Sequence, residues 1–241
     1  MTDADLAAAV AEAAGRLLLD LRSGGLLEGR ALADAGDRLA GDYIVAALRA
    51  QRPGDGILSE EHADTAERLE KRRVWIVDPL DGTREYAEGR DDWAVHVALA
   101  IDGAPAAAAV ALPAEGKLLR SDRPPPVPAC GEKLRMLVSR TRPPALAEEV
   151  AAALGAELVP MGSAGAKAMA VLLGRGDLYL HSGGQYEWDN CAPAAVALGC
   201  GLVATRLDGS ALAYNNADPT LPDLIIAHPD VAARVRAILD R

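Results

Sequence analysis

The chain has 241 residues, half of them hydrophobic, no Phe, and a net charge of −10, which suits one compact unit or two small packed domains. No basic run is longer than Lys71-Arg72-Arg73, so the electrostatic footprint of a protein that binds a nucleic-acid polymer or an anionic membrane is absent. No stretch approaches the apolar length of a membrane span, and the N-terminal segment carries Asp3, Asp5 and Glu12 where a signal peptide would be positive; a cytoplasmic protein is expected.

Leu6, Val10, Ala13, Leu17 and Leu21 recur at helical spacing, and Gly24-Gly25 supplies the stop, which predicts a first amphipathic helix. Residues 43–50 form the core of a second helix, closed by the turn-rich RPGDG. Ile57-Leu58 starts a short strand that runs into Ser59-Glu60-Glu61. A strand over 74–77 ends at Asp78-Pro79, because proline cannot continue a sheet ladder. Alternation over 93–101, the Asp102-Gly103 turn and the apolar run 106–112 predict a hairpin, with a shorter strand around Leu118.

RPPPVP, residues 123–128, cannot be helix or central strand, because four of its six residues lack a backbone donor. The domain boundary is expected there, giving units 1–128 and 129–241. Beyond it, strands at 134–138, 157–161, 177–181 and 202–205 alternate with helices at 145–154, 164–173 and 193–198. A strand at 223–227 and a helix from Val231 close the chain. The first half therefore reads as α+β and the second as an α/β layer. Cys130, Cys191 and Cys200 form no CxxC pair and have no His at zinc-finger spacing, so they read as reduced, buried thiols.

Glu60, Asp78, Asp81 and Asp189 each sit where an apolar element ends or a helix starts. Strand ends in open α/β sheets face a crevice. Carboxylates converging there repel one another unless cations intervene, and hard oxygen ligands beside a phosphate suit magnesium. In DPLDGT, Pro79 turns the chain out of the sheet so that Asp78 and Asp81 face one point, with the Leu80 carbonyl between them. Gly82 lets the backbone approach closely, and Thr83 opens a helix whose free N–H groups suit a phosphate.

Each signal has a plainer reading beside it. Two aspartates three apart are more often turn formers, Ser59-Glu60-Glu61 alone is a solvated acidic turn, and Asp189 after Trp188 is equally an N-cap. Gly162-Ser163-Ala164-Gly165 is a helix-entry loop with N–H groups able to hold an anion, and Lys167 reads as a surface charge. His62 and His96 read as a surface histidine and a strand histidine.

WIVDPLDGTREY, with SEE upstream and EWDNCAP downstream, resembles the magnesium-dependent, lithium-sensitive phosphatases of the inositol monophosphatase superfamily. A basic residue, Glu and an aromatic after DPLDGT, together with WDxCAP and GSAGAK, make it similar to the 3'(2'),5'-bisphosphate nucleotidase branch. The resemblance implies a layered αβαβα sandwich and hydrolysis of a phosphomonoester. Glu60, Asp78 and the Leu80 carbonyl would hold a first magnesium, and Asp78, Asp81 and Asp189 a second, with two or three ions in all. Thr83 would orient the attacking water with an acidic partner that family spacing places at Asp37, 23 residues before Glu60; Asp42 nearby reads as exposed. The chain departs from the family in reading ALADAGD before that helix, where a Lys and a Val-Thr-x-x-Asp run are usual.

The implied substrate is 3'-phosphoadenosine 5'-phosphate, in the setting of sulfate assimilation. Asp81, Gly82, Thr83, Arg84, Gly162, Ser163, Lys167, Glu187 and Asp189 would contact it, and Gln185 to Glu187 would shape the pocket. Inositol monophosphate and fructose 1,6-bisphosphate are the alternatives within the fold, and a noncatalytic nucleotide sensor is the alternative of another class. A homodimer is the default assembly.

Overall fold

The computed structural model describes residues 1–240. Helices α1 (Asp3–Ser23) and α2 (Gly29–Gln51) precede strands β1 (Gly56–Ser59) and β2 (Arg73–Asp81), the short helix α3 (Thr83–Ala87), and strands β3 (Ala94–Ile101), β4 (Ala104–Leu112) and β5 (Lys117–Arg120). The second half runs β6 (Arg135–Ser139), α4 (Ala145–Leu154), β7 (Glu157–Met161), α5 (Ala164–Leu172), β8 (Leu178–Tyr186), α6 (Glu187–Gly199), β9 (Val203–Thr205), β10 (Thr220–Ala227) and α7 (Pro229–Leu239).

One sheet has the order β1-β2-β3-β4-β5, and the other β7-β6-β8-β10-β9. β1 runs parallel to β2, and β6 runs parallel to both β7 and β8; the other pairings are antiparallel. The period of two sorts side chains between layers. On β2, Trp75 and Val77 join the core under α1 and α2, while Val74 and Ile76 join the core shared with α5 and α6. On the second sheet, Leu137, Tyr179, Leu224 and Ile226 face that same shared core, and Met136, Leu178, Leu180 and Ile225 face α4 and α7. Five layers result: α1/α2, sheet, α5/α6, sheet, α4/α7. The middle layer is narrow because Ala94, Ala98, Ala100 and Ala108 of the first sheet meet Ala192, Ala194, Ala195 and Ala197 of α6. Small side chains bury less area each than Leu or Phe but let backbones approach, which is how a chain without Phe reaches close packing.

Three expectations need correction. β2 does not stop at Asp78: it continues through Pro79 to Asp81, and its register with β3 slips between Asp78 and Asp81. β1 pairs β2 only as far as Val77, so Pro79 lies beyond that partner, at a bulge where its missing N–H breaks no ladder. The last α-helix of the shared layer begins at Glu187, six residues before Pro193, which sits inside it. The proline removes only the bond that would reach the Asp189 carbonyl. Cys191 is buried as expected, but Cys130 and Cys200 are half-buried; all three thiols are free.

Candidate metal centre and substrate cleft

Asp78 and Asp81 flank the bulge at the end of β2. Asp78, 1% exposed, accepts from Leu80 N (3.1 Å) through Oδ1, closing the turn that Pro79 begins. Leu80 drops its side chain into the core under α1 and α2 and turns its carbonyl out, where Thr83 Oγ1 donates to it (3.2 Å). Gly82 has φ 92°, and a Cβ there would stand 3.0 Å from Ser163 Cβ, so glycine is required both for the left-handed backbone and for the close approach.

Asp81 is held from the far side of the molecule. Its carboxylate accepts from Ser163 Oγ, from Gly165 N (2.6 Å) and from Ala164 N (3.1 Å), at the start of α5. His96 of β3 lies beneath, wholly buried, with Nε2 3.3 Å from Asp81 Oδ2 and Nδ1 3.0 Å from the Trp188 carbonyl. The Nδ1 contact requires a proton on that nitrogen. The Nε2 contact is short but poorly aligned for a hydrogen bond, so it acts mainly as an electrostatic one. Asp189, in the first turn of α6, accepts from Tyr186 N (2.6 Å). Ligand oxygens of Asp78, Asp81 and Asp189 all lie within 4.8 Å of one another. The sequence is not informative about His96's place here: its one signal is a lone polar residue on the alanine face of β3.

The electrostatics are those of a site built for added positive charge. Burial drives Asp78 well above the ordinary carboxylate range, and the charges of Glu60, Asp81 and Asp189 push it further. Asp189 is raised to about 6 by burial and then by Asp81. Glu60 is raised to about 7 by desolvation of its carboxyl and by the charges of Asp189 and Asp81. Asp37, on α2, is raised to about 8 by burial and by Glu61 and Glu60, and its Oδ1 has no partner. Asp81 runs the other way: burial opposes its charge, yet His96, Ser163 and Lys167 hold it down at about 2. For His96 burial opposes protonation, and the Asp81 carboxylate outweighs it and raises the pKa. Clustered carboxylates of which most resist ionising, all with oxygen donors, are the donor set of a hard divalent cation.

A cleft of about 380 Å³ adjoins the acids. It is lined by residues 81–85, by residues 139–142 after β6, by residues 162–164 with Lys167, by Tyr179, His181, Gly184 and Gln185 of β8, and by Asp189. The Gly162 backbone is strapped in place: Asp92 Oδ2 accepts from its N–H (2.6 Å), and a Cβ on it would stand 2.2 Å from Glu85 Cγ.

Of the expected substrate residues, Asp81, Gly82, Thr83, Arg84, Gly162, Ser163, Lys167 and Asp189 line this cleft, as does Gln185. Glu187 does not. It is fully buried, and its carboxylate accepts from Asn215 N (2.7 Å), Asn216 N (2.8 Å) and Asn216 Nδ2 (2.7 Å). Lys167 is no surface charge: it is 4% exposed, donates to Ser163 O (2.5 Å) and Gly162 O (3.3 Å), and lies over the Tyr179 ring. Glu60 stands outside the tight trio, and Asp42 is exposed, paired with His62 (3.2 Å). His62 is itself half-buried, with Nδ1 3.4 Å from Ser59 Oγ.

The model of the inositol monophosphatase family matches residues 4–239. A 3'-phosphoadenosine 5'-phosphate phosphatase of Mycobacterium leprae is 52% identical over an alignment 247 positions long, covering 96% of this chain and 91% of that protein. One from Mycobacterium tuberculosis is 51% identical over 233, covering 91% and 86%. Among solved structures, CysQ from Bacteroides thetaiotaomicron superposes with a TM-score of 0.79 at 24% identity, over 94% of this chain and 97% of that one; at that identity the likeness speaks for the fold. The five-layer architecture, the DPLDGT bulge and the match over nearly the full chain place this protein in the inositol monophosphatase family.

Proposed function

We propose that the protein is a magnesium-dependent phosphatase that hydrolyses 3'-phosphoadenosine 5'-phosphate to AMP and inorganic phosphate. The observation that carries the reading is the meeting of Asp78, Asp81 and Asp189 within 4.8 Å beside a cleft that also presents Arg84, Arg140, Arg142 and Lys167. Acids for cations and cations for phosphate adjoin. The identity to the mycobacterial phosphatases supports the choice of substrate.

Glu60, Asp78 and the Leu80 carbonyl would hold one ion, and Asp78, Asp81 and Asp189 a second; the use of two or three ions belongs to the proposal. Bound magnesium supplies a lowered pKa for a coordinated water and positive charge for the entering and leaving oxygens. The chain's own residues do the positioning that phosphoryl transfer needs. Water attacks the 3'-phosphorus, the bond from phosphorus to O3' breaks, and O3' leaves with a proton. Thr83, whose hydroxyl hydrogen goes to the Leu80 carbonyl, has oxygen lone pairs to accept from that water, with Asp37 as its acidic partner and Glu60 alongside. Gly162, Ser163 and Lys167 form the loop against which the substrate rests, and Lys167 steadies that loop through its two carbonyls.

The division into units 1–128 and 129–241 is part of the same proposal; each contains one sheet, while α5 and α6 pack on both. So are lithium inhibition, a homodimer, a cytoplasmic location and the absence of a nucleic-acid-polymer partner. Among the described residues no helix is long and apolar enough to cross a membrane.

The test is phosphate release from 3'-phosphoadenosine 5'-phosphate, inositol 1-phosphate and fructose 1,6-bisphosphate, each with magnesium and with chelator. Fastest turnover on the nucleotide, lost on chelation, is expected. A clear preference for inositol 1-phosphate would overturn the substrate, and nucleotide binding without any release would point to a sensor.

A further inference from the structure

His96 is the odd residue of its layer. It stands opposite Asp78 in the register of β3 with β2, on the face where Ala94, Ala98 and Ala100 meet the alanines of α6, and it is wholly buried. An imidazole in apolar surroundings costs free energy unless its nitrogens meet partners, and a side chain there only to fill space has no use for them. The ring instead reaches two acid-bearing segments at once. Nδ1 donates to the Trp188 carbonyl (3.0 Å), and Nε2 stands 3.3 Å from Asp81 Oδ2. Gly165 of α5 closes over the same edge, where a Cβ would come within 1.9 Å of Nε2, so a third element seats the ring. Both contacts act on a carboxylate of the trio. At Asp81 the ring faces the oxygen that also accepts from Ser163 Oγ and Gly165 N. At α6 it acts one peptide away: the Trp188 carbonyl belongs to the planar unit whose nitrogen is that of Asp189. Holding that carbonyl holds the plane from which the Asp189 side chain departs.

From this geometry we propose that His96 is a positioning residue of the metal centre: one ring, bridging Asp81 and the peptide before Asp189, sets the separation of those two carboxylates and with it the fit of the ion they share. The inference rests on the metal-dependent reading above and deepens it. Two ionised carboxylates are acceptors only and cannot hydrogen-bond each other, so a third group has to fix the distance between them. Asp81 comes from the end of β2 and Asp189 from the start of α6, and His96 lies on β3 between the two. It does not line the cleft, so it acts through the acids and not on the substrate. Magnesium demands near-ideal coordination, and groups that orient its ligands typically govern affinity by roughly 10–100-fold.

The test titrates metal-stripped protein with Mn2+, which shares magnesium's preference for carboxylate oxygens and is counted by its own electron-spin signal, in the absence of substrate. Wild type, His96→Leu, His96→Asn and His96→Gln are compared, with thermal melts in chelator on the same samples. Leu is close to His in volume and keeps neither contact. An Asn amide sits near the place of Nδ1 and keeps a donor for the Trp188 carbonyl, whereas a Gln amide reaches the place of Nε2 and keeps one for Asp81. At least one class of bound Mn2+ should weaken by about tenfold or more in His96→Leu. Asn and Gln, with one link of the two, should recover at most part of that loss; if His96→Leu fails to fold, these two carry the comparison with wild type. In turnover, the magnesium concentration for half-maximal rate should rise in step while the substrate KM at saturating magnesium stays put. A histidine that only fills space predicts Mn2+ binding in His96→Leu as tight as in wild type, whatever the melting temperature, and that result would overturn the proposal. Full affinity in either amide variant would reduce the bridge to a single contact and overturn it likewise. A wild type that binds no Mn2+ would overturn the metal reading and this proposal together. Weakened binding in His96→Leu, from a wild type that binds Mn2+ but releases no phosphate, would support the bridge and remove the phosphatase reading.

Discussion

Asp81 has two tasks that compete for its oxygens: it accepts three hydrogen bonds from the start of α5, and it turns toward Asp78 and Asp189. Asp81→Asn replaces one acceptor oxygen by a donor facing other donors and removes the charge. We expect circular dichroism to be retained and turnover to fall at least about 100-fold, the scale on which partners of metal ligands act; undiminished phosphate release would remove Asp81 from the site. Gly165 tests the same junction from beneath, since a Cβ on it would stand 1.9 Å from His96 Nε2. His96 is buried against the Trp188 carbonyl and has no room to retreat. Gly165→Ala should cost about 1–3 kcal/mol in urea unfolding as an overpacked core does, and should lower activity because the Gly165 N–H is itself a donor to Asp81. An unchanged unfolding midpoint would show that His96 moves freely. DPLDGT was legible because its chemistry is contiguous: the turn, the outward carbonyl and the left-handed glycine all follow from six adjacent residues. The seating of Asp81 on α5 and of His96 beneath it was not, because those partners lie far along the chain and no local periodicity encodes them.

Glu187 shows the same limit for whole elements. Its place one residue before Trp188-Asp189 suggests a side chain in the pocket, yet α6 begins at Glu187 itself, and the helical turn points that carboxylate away from the cleft into the 215–216 loop. Asn215, with φ 62°, passes the connection on: its Oδ1 accepts from Arg68 Nη1 (2.8 Å), and Arg68, 2% exposed, pairs with Asp64 through two bonds of 2.7 Å. A polar strut therefore ties the segment after Glu60 to the helix that carries Asp189. Glu187→Ala removes the acceptor of two part-buried backbone donors, Asn215 N and Asn216 N, which costs less than the roughly 1–3 kcal/mol each of a fully buried orphan because water reaches them. It should destabilise the protein and raise the magnesium concentration for half-maximal activity by about tenfold. A rise in substrate KM alone, with melting and magnesium titration unmoved, would return Glu187 to the substrate. Proline favours the first turn of a helix, so the sequence places the α6 start at Pro193; α6 instead starts at Glu187 and carries Pro193 inside it, at the loss of the one bond to the Asp189 carbonyl.

At the scale of the molecule, the five layers bring acids from α2, from the ends of β1 and β2, and from the start of α6 into one place, and the metal-free protein bears the repulsion. The sign of its pH dependence follows. Asp37 at about 8, Glu60 at about 7, Asp189 at about 6 and Asp78, raised further by burial, all hold protons in the folded state that the unfolded chain releases near pH 4. A folded state that binds more protons loses stability as pH rises, so the loss runs from about pH 4 to about pH 8. His96, raised by Asp81, adds to it in the same direction as pH passes its folded value, whereas depressed Asp81 contributes stability lost only on acidification below pH 4. Magnesium replaces those protons with fixed charge, and at a hundredfold excess over its dissociation constant adds about 2.7 kcal/mol, or roughly 5–10 °C in a domain of this size. Thermal melts in chelator should therefore fall in midpoint from pH 5.5 to pH 8, while the gain on adding magnesium grows over the same range. A midpoint in chelator that climbs with pH, with no response to magnesium at pH 8, would mean that the carboxylates do not share one field and that the layers do not assemble a metal centre.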